Sequence, residues 1–366
     1  MSAAPLVEAP PAEVAIIVTR RIGDVLLATP LIRSLRTAWP GTAIDAIVFE
    51  GTEEALRGNP DVRRVLTVAE RPRGGRHARF VASIFRRYAL ALSLVPGDRP
   101  TLYAYVAGRR RAGLLAATPK DAWKRKLLHD WVAFDNLNTH TVRAHLALAE
   151  RLGVPATGEI TVSWTNEDER QVDRLLENSA GGRLAVFHAH PKYRYKMWPS
   201  ERWSALGRAL AGRGYRIALT GSPEARERAY LAALAEQLPK GTVNAAGPLT
   251  LGASACLVAR AAVYVGTDTV MTHIAAALGV PAVALFGPSN PVKWGPWPRG
   301  HAPDANPWRR CGSQRSGNVV LLQGSQACVP CLLEGCDRHV DSASDCLIAL
   351  PVEKVLAAVD SAEKNE

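Results

Sequence analysis

Short apolar runs alternate with helix-patterned stretches along almost the whole chain, and this alternation constrains the fold more than any other feature. "VAIIVTR" at 14–20, "TAIDAIVF" at 42–49, "VRRVLTV" at 62–68 and "ALALSLV" at 89–95 read as strands. Between and after them, "DVLLATPLIRSLRTAW" at 24–39, "FVASIFRRY" at 80–88 and "THTVRAHLALAERLGV" at 139–154 carry apolar residues at helical spacing. A strand that is apolar throughout needs cover on both faces, and helices alternating with strands supply it in a parallel, doubly wound sheet.

The pattern weakens around 155–178 and then starts again. "RLAVFHA" (183–189), "YRIALTG" (215–221), "AVYVGT" (262–267) and "PAVALFG" (281–287) are strands, with helices predicted between them. Ser200 is expected to cap one of these helices, with Gly212 and Gly214 at its end, and Pro223 stands near the start of the next. Thr139 or Thr141 is expected to cap the 139–154 helix. A chain of 366 residues suits two domains. The reading is a disordered tail over 1–13, a first α/β domain over 14–170, a second over 171–350 and a C-terminal helix over 351–366.

In open α/β sheets ligands sit beyond the carboxyl ends of strands, so the turns there are where chemistry is sought. The first such turn, "RRIGD", holds one glycine, Gly23, expected to make the turn, and then Asp24. Phosphate sites want bare N–H groups, and a carboxylate opposes a phosphate; a helix N-terminus favours the charged acid. Asp24 stands where a phosphate would otherwise lie, and its plain structural reading is an N-cap. In the second half, "YVGTDTVMTHIAAALGVPAVALFGPSNP" ends a strand at Gly266 and opens a helix at Thr267, Asp268 and Thr269. The unpaired N–H groups there could take a diphosphate, or Asp268 or Thr269 could simply cap the helix. There is no GxGxxG and no Walker loop, which argues against a NAD-dependent oxidoreductase. Lys196 follows a strand and could neutralise a phosphate or lie on the surface. Glu224 follows another strand, where it could bond a ribose or favour the first turn of its helix.

The net charge is +11 and uneven: residues 1–165 carry 23 Lys/Arg against 15 Asp/Glu. The basic segments "RPRGGRHAR" (71–79), "GRRRAG" (108–113) and "KDAWKRK" (120–126) point to an anionic partner. No helix-turn-helix, zinc-finger or RNP signature is present, so an anionic membrane surface is expected and nucleic acid is not. Trp123 reads as a half-buried core residue or a lipid-interface one. No apolar run reaches 18 residues, and the start lacks a signal-peptide pattern, so a cytoplasmic location is expected. Cys328, Cys331, Cys336 and Cys346 have the spacing C-x2-C-x4-C-x9-C. They could hold a structural metal or pack as reduced thiols. His140 starts the 139–154 helix and could cap or pack there, His188 and His190 flank a strand end, and no metal-like spacing joins the three.

These motifs together resemble glycosyltransferase family 9, the ADP-heptose:lipopolysaccharide heptosyltransferases. The similarity runs in order through "TRRIGDVLLATPLIRSLR", "KMWP" with "ERW", "LTGSPEARERA", the 264–291 stretch and "CVPCLLEGC" with "LPVEKVLAAV". "HPKYRYKMW" is more similar to the heptosyltransferase III-like branch. The resemblance implies a GT-B fold, with two Rossmann-like doubly wound domains facing across a cleft, and inverting transfer without an essential metal or other cofactor. It implies an ADP-heptose donor on the C-terminal domain and a phosphorylated, lipid-linked core oligosaccharide acceptor on the N-terminal one. The enzyme would then work at the inner face of the cytoplasmic membrane. By the same resemblance Asp24, beside Gly23, matches the base, Lys196 the diphosphate lysine and Glu224 an acid near the ribose. Thr267, Asp268, Thr269, Val270 and Met271, with His273 one turn on, match the diphosphate–sugar loop. After the strand at 183–189, where members of the family often show small hydroxyl residues, this chain has "HAHPKY". Another nucleotide sugar as donor, or a non-enzymatic module binding anionic lipid or nucleic acid, are the alternatives.

Overall fold

A computed structural model of the protein describes residues 6–71, 74–116, 118–177 and 182–364. The chain forms two α/β units. One takes in Met1–Thr161 and His301–Asn306, the other Val162–Gly300 and Pro307–Glu366.

The first unit is built on strands β1 (Glu13–Val18), β2 (Ala43–Phe49), β3 (Arg64–Val68), β4 (Tyr88–Ser93), β5 (Gly108–Leu115) and β6 (Asp130–Ala133). Their order is β3-β2-β1-β4-β5-β6, and every pairing is parallel. Strand β1 is central, and Val14 to Val18 are at most 1% exposed, which is why its sequence shows no polar alternation. Helix Thr29–Ala38 buries Leu31, Ile32 and Leu35 and packs on helix Thr141–Arg151. Each such side chain contributes roughly 1.5–3 kcal/mol on burial. The sheet order reverses between β1 and β4, so the crevice for a ligand lies past Val18 and Ser93.

The second unit has β7 (Arg183–His188), β8 (Tyr215–Leu219), β9 (Val243–Asn244), β10 (Val263–Thr267), β11 (Ala282–Phe286), β12 (Gln314–Ser316) and β13 (Val319–Gln323). Their order is β12-β13-β11-β10-β7-β8-β9, parallel except for the antiparallel edge strand β12. Without β12 this repeats the winding of the first unit, and the order reverses between β7 and β10. Helix Val352–Glu363 belongs to this core: Val355, Val359 and Ala362 are fully buried.

Several expectations differ from what is observed. The division falls at Thr161, whereas a boundary at residue 170 would cut helix Asn166–Glu177. That helix is fixed to the second unit, where Thr250 Oγ1 donates to Asp168 Oδ1 at 2.5 Å and Arg260 pairs with Asp173 at 2.6 Å. The chain also returns to the first unit at His301–Asn306, where the Asn306 amide donates to Asn138 O at 2.9 Å. Of the expected tail, residues 1–5 lie outside the described residues. Its other end is ordered: Pro11 is buried, and its carbonyl accepts the Thr42 hydroxyl at 2.7 Å. Ser200 is the first residue of its helix and Pro199 takes the cap position; His140, not a threonine, caps helix Thr141–Arg151, accepting from Val142 N at 3.1 Å. The basic run "GRRRAG" is the start of β5.

Candidate functional site

In the first unit β1 runs into a tight turn and the short helix Ile22–Leu26. Pro30 stands in the first turn of the next helix, where a missing N–H costs nothing. The Thr29 hydroxyl ties the two together: it donates to Leu26 O at 2.7 Å and accepts from Thr161 N at 3.0 Å. Asp24 lies in the first turn of Ile22–Leu26, 7% exposed, with Arg20 Nε 3.5 Å from Oδ2. The N-cap is Arg21, so Asp24 is not the capping residue. Gly23 also differs from expectation. A Cβ there would meet nothing within 4 Å and its φ is not positive, so the turn itself does not require glycine.

One residue of this crevice escaped the sequence reading. His145, on the buried side of helix Thr141–Arg151, places Nδ1 3.0 Å from Leu27 O and Nε2 3.1 Å from Leu94 O. It therefore joins the end of the Asp24 turn to the segment after β4, on either side of the reversal point. Burial lowers its pKa to about 4, against the upward pull of the two carbonyls. The available signal was a histidine inside an otherwise apolar helical face.

In the second unit the reversal point brings Lys196 and Asp268 together. β7 ends at His188, and the loop after it forms a single 3-10 turn, Arg194–Lys196. Buried tryptophans anchor that loop. Trp198 is fully buried, donates Nε1–H to Leu350 O at 2.9 Å and meets Trp203 edge-on at 5.0 Å. "KMWP" with "ERW" thus holds the lysine in place through core packing. Lys196 Nζ lies 2.5 Å from Asp268 Oδ2, and the Ser289 hydroxyl donates to the same oxygen at 2.6 Å. Burial works against ionisation of Asp268, but the Lys196 ammonium and these bonds outweigh it, so its pKa is lowered. Ser289, in "FGPSNP", was not singled out from the sequence.

Asp268 and Thr269 lead from β10 into helix Val270–Leu278. Thr269 holds the N-cap position with extended backbone, and no side chain caps the first turn, so the capping readings of Asp268 and Thr269 do not hold. Thr272 Oγ1 donates to Thr267 O at 2.5 Å, and Gly266 is needed where it is, since a Cβ would sit 2.1 Å from the Tyr264 hydroxyl oxygen. Thr267 and Met271 are buried, and Val270 is half-buried. His273, one turn on, is buried with a pKa lowered to about 4 by desolvation, against the pull of Asp268. Thr267 Oγ1 and His273 Nδ1 are buried without hydrogen-bond partners. Positive helix end, ammonium and unmet polar atoms converge here, as an anionic ligand would require.

Glu224 is exposed at the N-cap of helix Ala225–Gln237 and makes no side-chain cap bond. It does not join the Lys196–Asp268 cluster. The buried acid of that turn is Glu227, which accepts Ser222 N at 2.9 Å and also the Ser222 hydroxyl. His188 Nδ1 lies 3.0 Å from Thr220 Oγ1. His190 packs against Tyr230 with ring centroids 5.0 Å apart, and its Nδ1 is buried without a partner. Burial lowers the pKa of both histidines. Among the described residues no group of three or more His, Cys, Asp or Glu is gathered as for a metal ion. Cys328, Cys331, Cys336 and Cys346 are free thiols, and burial pushes the Cys346 thiol up to about 11.

Two doubly wound units in one chain, one with an anion-ready turn at its reversal point, have the GT-B architecture of nucleotide-sugar transferases. The comparisons agree. The family model for glycosyltransferase family 9 (heptosyltransferase) matches residues 104–302. The chain is 25% identical to lipopolysaccharide heptosyltransferase 3 of Escherichia coli over 287 residues, covering 75% of this chain and 83% of that protein. It is 27% identical to lipopolysaccharide heptosyltransferase 1 of Pseudomonas aeruginosa over 343 residues, covering 88% and 87%. Among solved structures, a glycosyl transferase family 9 protein from Veillonella parvula superposes with a TM-score of 0.76 at 19% identity, covering 97% and 98%. The ADP-heptose lipopolysaccharide heptosyltransferase II of Escherichia coli gives 0.73 at 20%, covering 96% and 98%. The chain belongs to glycosyltransferase family 9, and it is an enzyme of heptosyl transfer.

Proposed function

We propose that this enzyme transfers heptose from ADP-heptose to a phosphorylated, lipid-linked lipopolysaccharide core at the inner face of the cytoplasmic membrane, with inversion at the anomeric carbon. The observation that carries the donor side is the uncapped first turn of helix Val270–Leu278 with Lys196 held at its mouth by Asp268. A nucleoside diphosphate leaves with growing negative charge. A lysine has three donors, so one can stay on Asp268 while the others meet phosphate oxygens. The N–H groups of Thr269, Val270 and Met271 take further oxygens, and Asp268, with Thr267 and His273, lines the diphosphate and sugar. Glu224, exposed after β8, is assigned to the ribose hydroxyls on the resemblance.

On the acceptor side a sugar hydroxyl attacks the anomeric carbon. Its proton passes to the Asp24 carboxylate, the bond from the anomeric carbon to the diphosphate oxygen breaks, and ADP leaves with that electron pair. Gly23 supports this reading: a glycine that the fold does not need leaves bare backbone for an acceptor to approach. Losing a general base costs typically about 10²–10⁴ in rate. Asp24→Asn is therefore expected to lower turnover by about that factor while ADP affinity, measured by calorimetry, stays within twofold. Turnover equal to the parent enzyme removes Asp24 from the chemistry.

A further inference from the structure

The positive charge of this protein is concentrated. Residues 71–126 hold 14 Lys/Arg and two Asp/Glu, a net +12, so the remainder of the chain, with +11 overall, nets −1. Both acids are already paired: Lys124 Nζ lies 2.5 Å from Asp121 Oδ1 and 2.8 Å from Asp98 Oδ1.

The same segment carries exposed apolar side chains. Phe85, Leu102, Tyr105 and Trp123 are 66%, 43%, 43% and 42% exposed, four of the nine large hydrophobic residues exposed among those described. Trp123 is thus not a core residue. Asp98, Leu102 and Tyr105 stand at i, i+4 and i+7 on helix Asp98–Ala107 and share one stripe. The opposite side buries Pro100, Tyr103, Ala104 and Ala107. At the start of the stripe, the Lys124–Asp98 pair fixes the short helix Ala122–Arg125 that carries Trp123. At its end, Arg86 N donates to Val106 O at 2.8 Å and brings the Phe85 turn alongside. Helix Gly74–Ile84 flanks it, with Phe80 edge-on to Tyr103 at 5.6 Å. Arg86 and Arg87 precede β4 and Arg109 and Arg110 open β5 at the C-terminal end of this helix; all four are exposed, and Arg111 stacks on Tyr105 at 4.8 Å.

We propose that this stripe and these arginines form a docking surface for an anionic phospholipid bilayer. Stable attachment of a protein without a membrane-spanning helix takes two signals, and here they coincide: headgroup charge for the arginines, and apolar depth for Phe85 and Leu102. Tyr105 and Trp123 have the amphipathic rings favoured at a bilayer interface. Nucleic acid would match the charge and leave Phe85 and Leu102 in water. Each basic side chain near such a surface is worth roughly a fivefold gain in affinity.

The inference rests on the reading that the acceptor is lipid-linked, and its test involves no donor and no transfer. The full-length enzyme is sedimented with vesicles of phosphatidylglycerol and phosphatidylcholine, and with phosphatidylcholine alone. Binding is expected only with the anionic lipid, weakening at least tenfold in 0.5 M salt. The combined change Arg86→Gln, Arg87→Gln, Arg109→Gln and Arg110→Gln is expected to weaken it by about a hundredfold or more. The pair Phe85→Ser and Leu102→Ser is expected to weaken it about tenfold or more with all the charge retained. Circular dichroism and a thermal melt of each variant, matched to the parent enzyme, check that the substituted unit is folded. Equal binding to both vesicles, no binding, unaltered binding by folded variants, or displacement by equimolar oligonucleotide each overturns the proposal. Vesicle binding is read independently of turnover, so a failure to bind defeats the docking surface alone, and a failure of heptosyl transfer, measured in a separate assay, defeats the functional reading alone.

Discussion

Lys196 and Asp268 face each other at 2.5 Å with side chains 16% and 8% exposed, so the cation proposed for the diphosphate is also a partner in a largely buried ion pair. The two roles separate by mutation. Removing one partner of a buried pair costs roughly 3–5 kcal/mol, because it strands the other charge. Asp268→Ala and Lys196→Ala should both lower the melting temperature, on the order of 10 °C for a unit of this size. The matched change Lys196→Met with Asp268→Leu should recover much of that stability and none of the ADP affinity. Calorimetry and thermal denaturation on the three variants check this; recovery of ADP binding in the double variant would remove the lysine from the donor site. At this scale the sequence was legible in part. Spacing put Lys196 and Asp268 after strands, but nothing in it says that their side chains meet. It also offered two acids, Glu224 and Glu227, three residues apart, without showing that Glu227 is the buried one.

Elements with a strong apolar period were readable, and those without it were not. β1 and the β10 to β11 unit appear where the pattern placed them, whereas the single helix expected over 24–39 is two, Ile22–Leu26 and Thr29–Ala38. β12 and β13 were missed, since "NVVLLQ" is a short apolar run inside a polar stretch. Helix Asn166–Glu177 hid the domain boundary, because it is rich in acids and buries little besides Val172. His145 is the element-scale consequence, as one ring spans helix Thr141–Arg151, the Asp24 turn and the segment after β4. Unfolded, it would take up a proton near pH 6.5; folded, burial delays this to about 4. Between those values the unfolded chain binds the extra proton. The ring's contribution is therefore complete above about pH 6.5 and is lost as the pH falls towards 4, by roughly 3 kcal/mol in all. His145→Gln should flatten the fall of melting temperature between pH 6.5 and 4.5, and an unchanged slope contradicts this. The same variant should lower turnover more than it lowers ADP affinity, because the ring braces the Asp24 turn and not the donor loop.

For the whole molecule, two units share one winding, and in the proposed reading they divide the chemistry: the second carries the Lys196–Asp268 turn, and the first carries Asp24 in the corresponding place. The winding was legible because parallel strands buried on both faces leave continuous apolar runs. The return of His301–Asn306 to the first unit was not, since it is held by polar contacts with no periodic signature. Identities to heptosyltransferases 1, 2 and 3 lie between 25% and 28%, so the choice of acceptor within the family is a question for the enzyme itself. The most direct measurement is mass spectrometry of lipopolysaccharide cores truncated at successive positions, each incubated with the enzyme and one nucleotide sugar. The account predicts a gain of one heptose on one of these cores with ADP-heptose, abolished or nearly so by Asp24→Asn. A gain from a UDP- or GDP-sugar with none from ADP-heptose would contradict it.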